Sequence, residues 1–166
     1  MKIITLICCC SSFVFAQPSL PLGWRFPNEK DITSDWKDFQ KVYPKPYFIS
    51  ADFTNDGFID EAWILFKTDS STWGLFVFLK KENQSLTFPL YIDSSDQIAQ
   101  SMGISVIEPG EYKTACGKGY WDCKDDEPPI FTLKYPAIDF FKYESANSVF
   151  YWDTQLNAFK RIWMSD

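Results

Sequence analysis

Two apolar runs constrain the fold more than any other feature. "EAWILFK" (61–67) and "WGLFVFLK" (73–80) are separated only by the polar stretch "TDSST". Runs of this length with so few polar positions are buried on both faces, so they belong in the middle of a sheet. The short polar link joins them as an antiparallel hairpin. Upstream, "YFISADF" alternates, with Tyr47, Ile49, Ala51 and Phe53 on one face. Downstream, "LTFPLYI" is a weaker strand, and Pro89 within it predicts an edge or a bulge. "ISVIEPGEYKTAC" has the form of a hairpin turning at Pro109-Gly110. The final third, from Ala137 onward, reads as a three-strand meander with turns at 145–147 and 154–157.

One segment breaks the strand pattern. In "DITSDWKDFQKVYP" the residues Ile32, Trp36, Phe39 and Tyr43 follow helical spacing. Asp31 suits the N-cap, Asp35 the first turn and Lys41 the last, and Pro44 ends the run. This predicts one amphipathic N-terminal helix of about three turns. Before it, the Pro-rich "QPSLPLGWRFP" predicts an extended segment anchored by Trp24 and Phe26. The expected class is α+β: mainly antiparallel sheet and meander, with seven to nine strands, one helix and a disulfide-closed loop.

The first sixteen residues have the form of an export signal. Lys2 precedes an apolar run from Ile3 to Val14, and Val14, Phe15 and Ala16 suit cleavage before Gln17. The run falls short of the roughly 20 apolar residues a membrane span needs. Cys8 to Cys10 raise a lipoprotein alternative, but no Gly, Ala or Ser precedes the first of them. Of the 166 residues, 16 removed leave 150, expected as a single globular domain over 17–166 with no transmembrane segment. The expected location is the periplasm or the exterior. Losing Lys2 takes the formal charge from −6 to −7, which disfavours nucleic-acid phosphates. Two of the five cysteines remain outside the leader, Cys116 and Cys123, and an exported chain pairs them as a disulfide.

Between the alternating strand and the first apolar run lies "DFTNDGFID". Asp52, Asp56 and Asp60 recur every fourth residue, and Gly57 permits a sharp turn. Calcium takes six to eight oxygen ligands, and side chains of Asp52, Thr54, Asp56 and Asp60 with the Phe58 carbonyl would supply five. An EF-hand is excluded, because Trp63 stands where its bidentate Glu would be and the flanks are strands. The stretch resembles the D-x-[DN]-x-D-G-x-x-D loops of FG-GAP and VCBS-type repeats. It matches them at Asp52, Asp56, Gly57 and Asp60 and departs at Thr54, where the pattern has Asp or Asn. The resemblance covers about twenty residues in one copy, too little for the propellers that such repeats build. It implies a structural calcium ion between two strands. The other reading is an acidic hairpin turn, for which Asn55-Asp56-Gly57 is a strong signal.

"ACGKGYWDC" (115–123) is the second unusual stretch. A Cys116–Cys123 bond closes a small ring in which Gly117 and Gly119 allow tight turning. Tyr120 and Trp121 would then be displayed on a rigid loop, with Lys118 and the following acids as a polar rim. Rigid aromatics give contact area at low entropic cost. The competing reading folds Trp121 back onto the sheet. The chain has no histidine, which removes Ser-His-Asp and Cys-His catalysis, and no phosphate-binding glycine loop. A two-carboxylate glycosidase would draw on Glu108, Glu111, Asp139 or Glu144, but no spacing favours a pair. A non-enzymatic role is therefore expected: an exported binding protein of inhibitor or immunity type, with an envelope hydrolase or toxin as protein partner. The alternative is a carbohydrate-binding or envelope structural domain using surface aromatics. The chain as a whole also resembles small exported bacterial proteins of unassigned function.

Overall fold

The structure is a computed structural model that describes residues 18–32, 34–94 and 99–166. The leader expected over 1–16 lies outside these residues. Among them are eleven strands: β1 (Trp24–Arg25), β2 (Phe48–Ala51), β3 (Asp60–Lys67), β4 (Trp73–Lys80), β5 (Ser85–Asp93), β6 (Met102–Ile107), β7 (Gly110–Lys113), β8 (Ile130–Leu133), β9 (Ala137–Lys142), β10 (Asn147–Asp153) and β11 (Ala158–Ser165). All pairings are antiparallel. The strands form three sheets rather than the one of seven to nine strands expected. The first runs β1-β3-β4-β5, with β2 also on β3; the second runs β11-β10-β9-β6; the third is the pair β7-β8.

The two apolar runs occupy the middle of the first sheet, β4 between β3 and β5. Alternate residues explain why neither run has a polar face. Ala62, Ile64, Leu75, Val77 and Leu79 point into the main core, where Ile104, Ile138, Phe140 and Phe150 of the second sheet meet them. Trp63, Leu65, Phe76 and Phe78 point the other way. That outer face is covered by Leu20, Trp24, Phe26 and Phe48. Trp24 meets Phe76 edge-on at 4.5 Å and Phe26 meets Trp63 at 4.6 Å, so the Pro-rich segment does anchor through these two rings. Tyr47, Ile49, Ala51 and Phe53 all pack on the main core, as their alternation implied. Pro89 lies in β5, an edge strand, and the β4–β5 register shifts beside it, so both readings of that proline hold. The outer face of the second sheet is covered in turn by Tyr112 and Phe131 of the β7-β8 pair, which pack on Val149 and Ile162.

Two local expectations fail. Pro109-Gly110 does not turn a hairpin: β6 pairs with β9 and β7 with β8, so this dipeptide carries the chain from one sheet to another. Of the three-turn helix expected across 31–43, the described residues contain only α1 (Ser34–Phe39). The chain then tightens, with Lys41 N–H bonding the Asp38 carbonyl and Val42 N–H the Phe39 carbonyl. Such three-residue closures mark a helix running out before Pro44. Asp31 is not its N-cap. It accepts from the Asn28 N–H in a preceding 3-10 turn and forms a two-pronged ion pair with Arg25, at 2.6 and 3.0 Å. Trp36 and Phe39 still enter the core, and the Trp36 indole N–H donates to the Met102 carbonyl at 2.8 Å. No helix among the described residues is long and apolar enough to cross a membrane.

Candidate functional site

The acidic loop joins β2 to β3, which pair directly at Ala51 and Asp60. Gly57 has φ +86°, a conformation costly for any residue with a Cβ. Each aspartate is committed to the loop's own backbone. Asp52 accepts from the N–H groups of Asp56 and Gly57 at 3.1 and 2.8 Å. Asp56 accepts from the Phe58 N–H at 3.0 Å and pairs with Lys81. Asp60 is fully buried and accepts from Phe53 N–H at 3.1 Å and from Lys80 N–H at 2.9 Å. It therefore ties the loop to both neighbouring strands.

The electrostatics follow from this wiring. Burial pushes the Asp60 carboxyl up to about 6, against the two N–H bonds, with the Asp56 and Asp52 charges adding to the rise. For Asp56 burial acts upward, but the Lys81 ammonium, the Phe58 N–H and the Thr54 hydroxyl together hold it below the usual range. Thr54 is buried, while Phe58 is exposed at the tip. Among the described residues no three His, Cys, Asp or Glu side chains gather around one point where a metal ion would sit. Of the five expected ligands, Asp52, Thr54, Asp56, Phe58 and Asp60, a calcium ion would have to displace Lys81 and backbone donors from the three aspartates, whereas the buried Thr54 hydroxyl has no hydrogen-bond partner among the described residues.

The disulfide loop is built against the second sheet. Cys116 and Cys123 are bonded, with Cα atoms 4.9 Å apart. The 3-10 turn Cys116–Lys118 begins the ring. Ala115 N–H donates to the Trp163 carbonyl of β11 at 2.8 Å, and the buried Thr114 hydroxyl donates to the Pro128 carbonyl at 2.7 Å. A Cβ on Gly117 would stand 1.9 Å from the Pro129 carbonyl oxygen, so only glycine lets the two segments approach this closely. Lys118 does not serve as a free rim charge: its ammonium donates to the Met164 carbonyl at 2.6 Å. Trp121 is half-buried, and its indole N–H donates to Glu127 Oε2 at 2.9 Å. Of the expected trio Lys118 and Tyr120 are exposed, and Tyr120 is the projecting aromatic, at 53% exposure, with its ring 6.4 Å from that of Trp121.

The carboxylates considered for glycoside hydrolysis differ in their surroundings. Asp139 is raised by burial, and it belongs to a polar ladder across the second sheet. Asn147 Nδ2 donates to it at 2.8 Å, the Ser105 hydroxyl lies 3.4 Å away, and the Ser165 hydroxyl donates to Asn147 Oδ1 at 2.6 Å. Glu108, Glu111 and Glu144 are exposed. Elsewhere, a cleft of about 210 Å³ opens between the segment 131–136 and the β10–β11 turn, and an apolar groove of about 420 Å³ separates β2 from β6. Sequence reasoning missed one residue with unusual surroundings, Arg161, whose guanidinium sits among aromatic rings. The signal was there in β11, where Phe159, Arg161 and Trp163 alternate onto one face. No family model matches the chain, and no curated protein or solved structure compared with it matches either.

Proposed function

We propose that this is an exported, non-catalytic protein that binds another protein through its disulfide loop, in the manner of an inhibitor or immunity protein. One observation carries the reading: an exposed Tyr120 at the tip of a turn whose backbone is held at every side. The disulfide, the Gly117–Pro129 approach and the bonds to Trp163 and Met164 all restrain that turn. A pre-ordered aromatic loses little entropy on docking, which is the property a binding loop needs. The formal charge, −6 for the whole chain and −7 without the leader and its Lys2, suits a basic partner, such as a hydrolase acting on an anionic cell wall. The leader supports export, and the lack of histidine supports a role outside nucleophilic catalysis.

The carbohydrate reading has less support. Phe88, Trp152 and Phe159 cluster half-buried against the main core, and they meet at 82°, 69° and 71°. Edge-to-face rings pack against one another and leave no flat platform for a sugar. For the acidic loop we take the turn reading, with calcium as the outcome to be tested. Titration to millimolar calcium is expected to leave the melting temperature unchanged. A rise that Asp56→Ala abolishes would restore the ion.

The test of the main reading is inhibition and direct binding of purified basic cell-wall hydrolases by the mature protein, repeated with Tyr120→Ala. Truncating a central aromatic is expected to weaken binding at least about tenfold while the melting temperature stays within a degree or two of the parent. Trp121→Ala is expected to weaken binding and also to lower stability slightly, because the Glu127 bond is lost. Binding that Tyr120→Ala leaves untouched would move the contact elsewhere. Failure to bind any such hydrolase would sink the inhibitor assignment.

A further inference from the structure

The chain has two arginines, and they differ in one respect. Arg25 spends its fork on Asp31, with two N–H···O contacts at 2.6 and 3.0 Å. Arg161 has no carboxylate: the ion pairs of the described residues are Arg25–Asp31, Lys41–Asp38, Lys80–Glu61, Lys81–Asp56 and Lys160–Asp153. This is unexpected in a protein with 22 acidic side chains against 16 basic ones. The guanidinium is nonetheless held in place. Its Cζ lies 4.1 Å from the centroid of Trp163, 5.2 Å from Phe150, 5.7 Å from Tyr91 and 5.8 Å from Phe140. Nε–H donates to the Ser148 hydroxyl at 2.8 Å, and Ser148 is fully buried.

The sheet register builds this cage. Phe150 stands directly opposite Arg161, Ser148 opposite Trp163, and Phe140 opposite Ser148 on the next strand. Tyr91 comes from β5, the edge strand of the other sheet. Arg161 therefore lies on the open rim of the main core, where the edge strands β5 and β11 approach one another. The residue keeps solvent access, and Trp163 is 38% exposed. A guanidinium has five N–H donors, and the Ser148 bond uses the one on Nε. The four on the Nη atoms form no hydrogen bond to a described residue. Aromatic faces stabilise the cation but offer no acceptor in the plane of the fork. A group that is charged and oriented by aromatic rings and by one bond at Nε, yet has no acceptor for its four Nη donors among the described residues, is complementary to one chemical class above others, the planar carboxylate.

The geometry points to a second binding site, distinct from the disulfide loop, in which Arg161 is the anchor for a ligand carboxylate. Trp163 and Tyr91 form its walls, and Ser148 sets the rotation of the fork. The site does not depend on the binding role of Tyr120, and a failure of either leaves the other standing.

The test is a titration of the ¹⁵N-labelled mature protein, followed at the Arg161 Nε–H and Trp163 indole signals. Sodium acetate and sodium glucuronate are added at constant ionic strength, with chloride as the matched control. The expected result is a saturable shift of both signals with acetate, absent with chloride. Arg161→Lys keeps the charge but loses the fork, and should bind at least about fivefold more weakly. Arg161→Gln should abolish the Trp163 response; if it does not fold, the lysine variant carries the comparison. Glucuronate binding several-fold tighter than acetate upholds the site and identifies a carboxylate-bearing sugar as its ligand. Equal binding upholds it for a carboxylate alone, as on an acidic side chain. Shifts that rise linearly, follow chloride, or persist in both variants overturn it.

Discussion

Asp60 holds the loop 52–59 to β3 and β4 with a buried carboxylate, and its ionisation opposes its burial. Its folded value of about 6 lies above the ordinary 3.8, so the folded state binds this proton more tightly than the unfolded chain. The sign follows from proton linkage. Its contribution to stability is fully present below about pH 3.8, falls as pH rises to about 6, and is constant beyond. The total change from this group is on the order of 3 kcal/mol. Denaturation of the parent and of Asp60→Asn across pH 4 to 7 checks this. The variant should lose the slope that Asp60 contributes between pH 4 and 6. It should also lose about 1–3 kcal/mol, because one amide oxygen cannot accept both N–H groups as two carboxylate oxygens do. An unchanged slope in the variant would assign the titration to another group. The spacing of Asp52, Asp56 and Asp60 made a turn legible in the sequence, and Gly57 marked its tip. That Asp60 turns inward was not legible, because one of its donors, Lys80, comes from β4, twenty residues on.

At the scale of elements, the disulfide loop is a short ring fastened to a sheet edge. The Cys116–Cys123 bond was readable from cysteine number and the expectation of export. The sheet against which the ring lies was not, since the contacts of Ala115 and Lys118 with Trp163 and Met164 span more than forty residues. The same long-range pairing explains Pro109-Gly110. A Pro-Gly corner looks alike whether the strands beside it pair with each other or with β9 and β8. Helix α1 shows the converse case. The apolar positions Trp36 and Phe39 were legible because burial follows periodicity, whereas the helix end was set by local closure at Lys41 and Val42. Replacing both cysteines by serine should cost about 2.5 kcal/mol by chain-entropy reasoning. The sheets should persist, because neither the β3–β4 nor the β9–β10 pairing involves the ring. Far-ultraviolet dichroism should therefore be retained, while hydrogen exchange of the Gly117 and Tyr120 amides should accelerate. Loss of the whole β signal would show instead that the ring is needed for the second sheet to form.

For the whole molecule, the decisive fact is that the central strands of the two larger sheets are covered on both faces. The main core fills the space between them, the β7-β8 pair covers one outer face, and the segment 20–26 covers the other. The apolar runs of β3 and β4 required such a third layer, since Trp63, Leu65, Phe76 and Phe78 would otherwise face water. The cover on the first sheet is short. Strand β1 contributes two paired residues, Trp24 with Lys67 and Arg25 with Phe66, and Arg25 adds its bond to Asp31 and its position 5.0 Å over the Phe66 ring. Few contacts thus shield a large aromatic surface. Replacing Trp24 and Phe26 together by alanine should cost about 3 kcal/mol or more, because their rings fill the gaps over Phe76 and Trp63. The loss should be local. The main core lies on the opposite face of the sheet, so Trp36 and its bond to Met102 should keep their protection from exchange. The exposed face of β3 and β4 should then bind a hydrophobic dye and promote association, as large apolar patches do. Dye fluorescence and light scattering of the double variant, set beside the exchange rate of the Trp36 indole, check both halves. A variant that binds no dye would mean the face finds another cover. One that loses Trp36 protection as well would make the segment 20–26 part of the cooperative core.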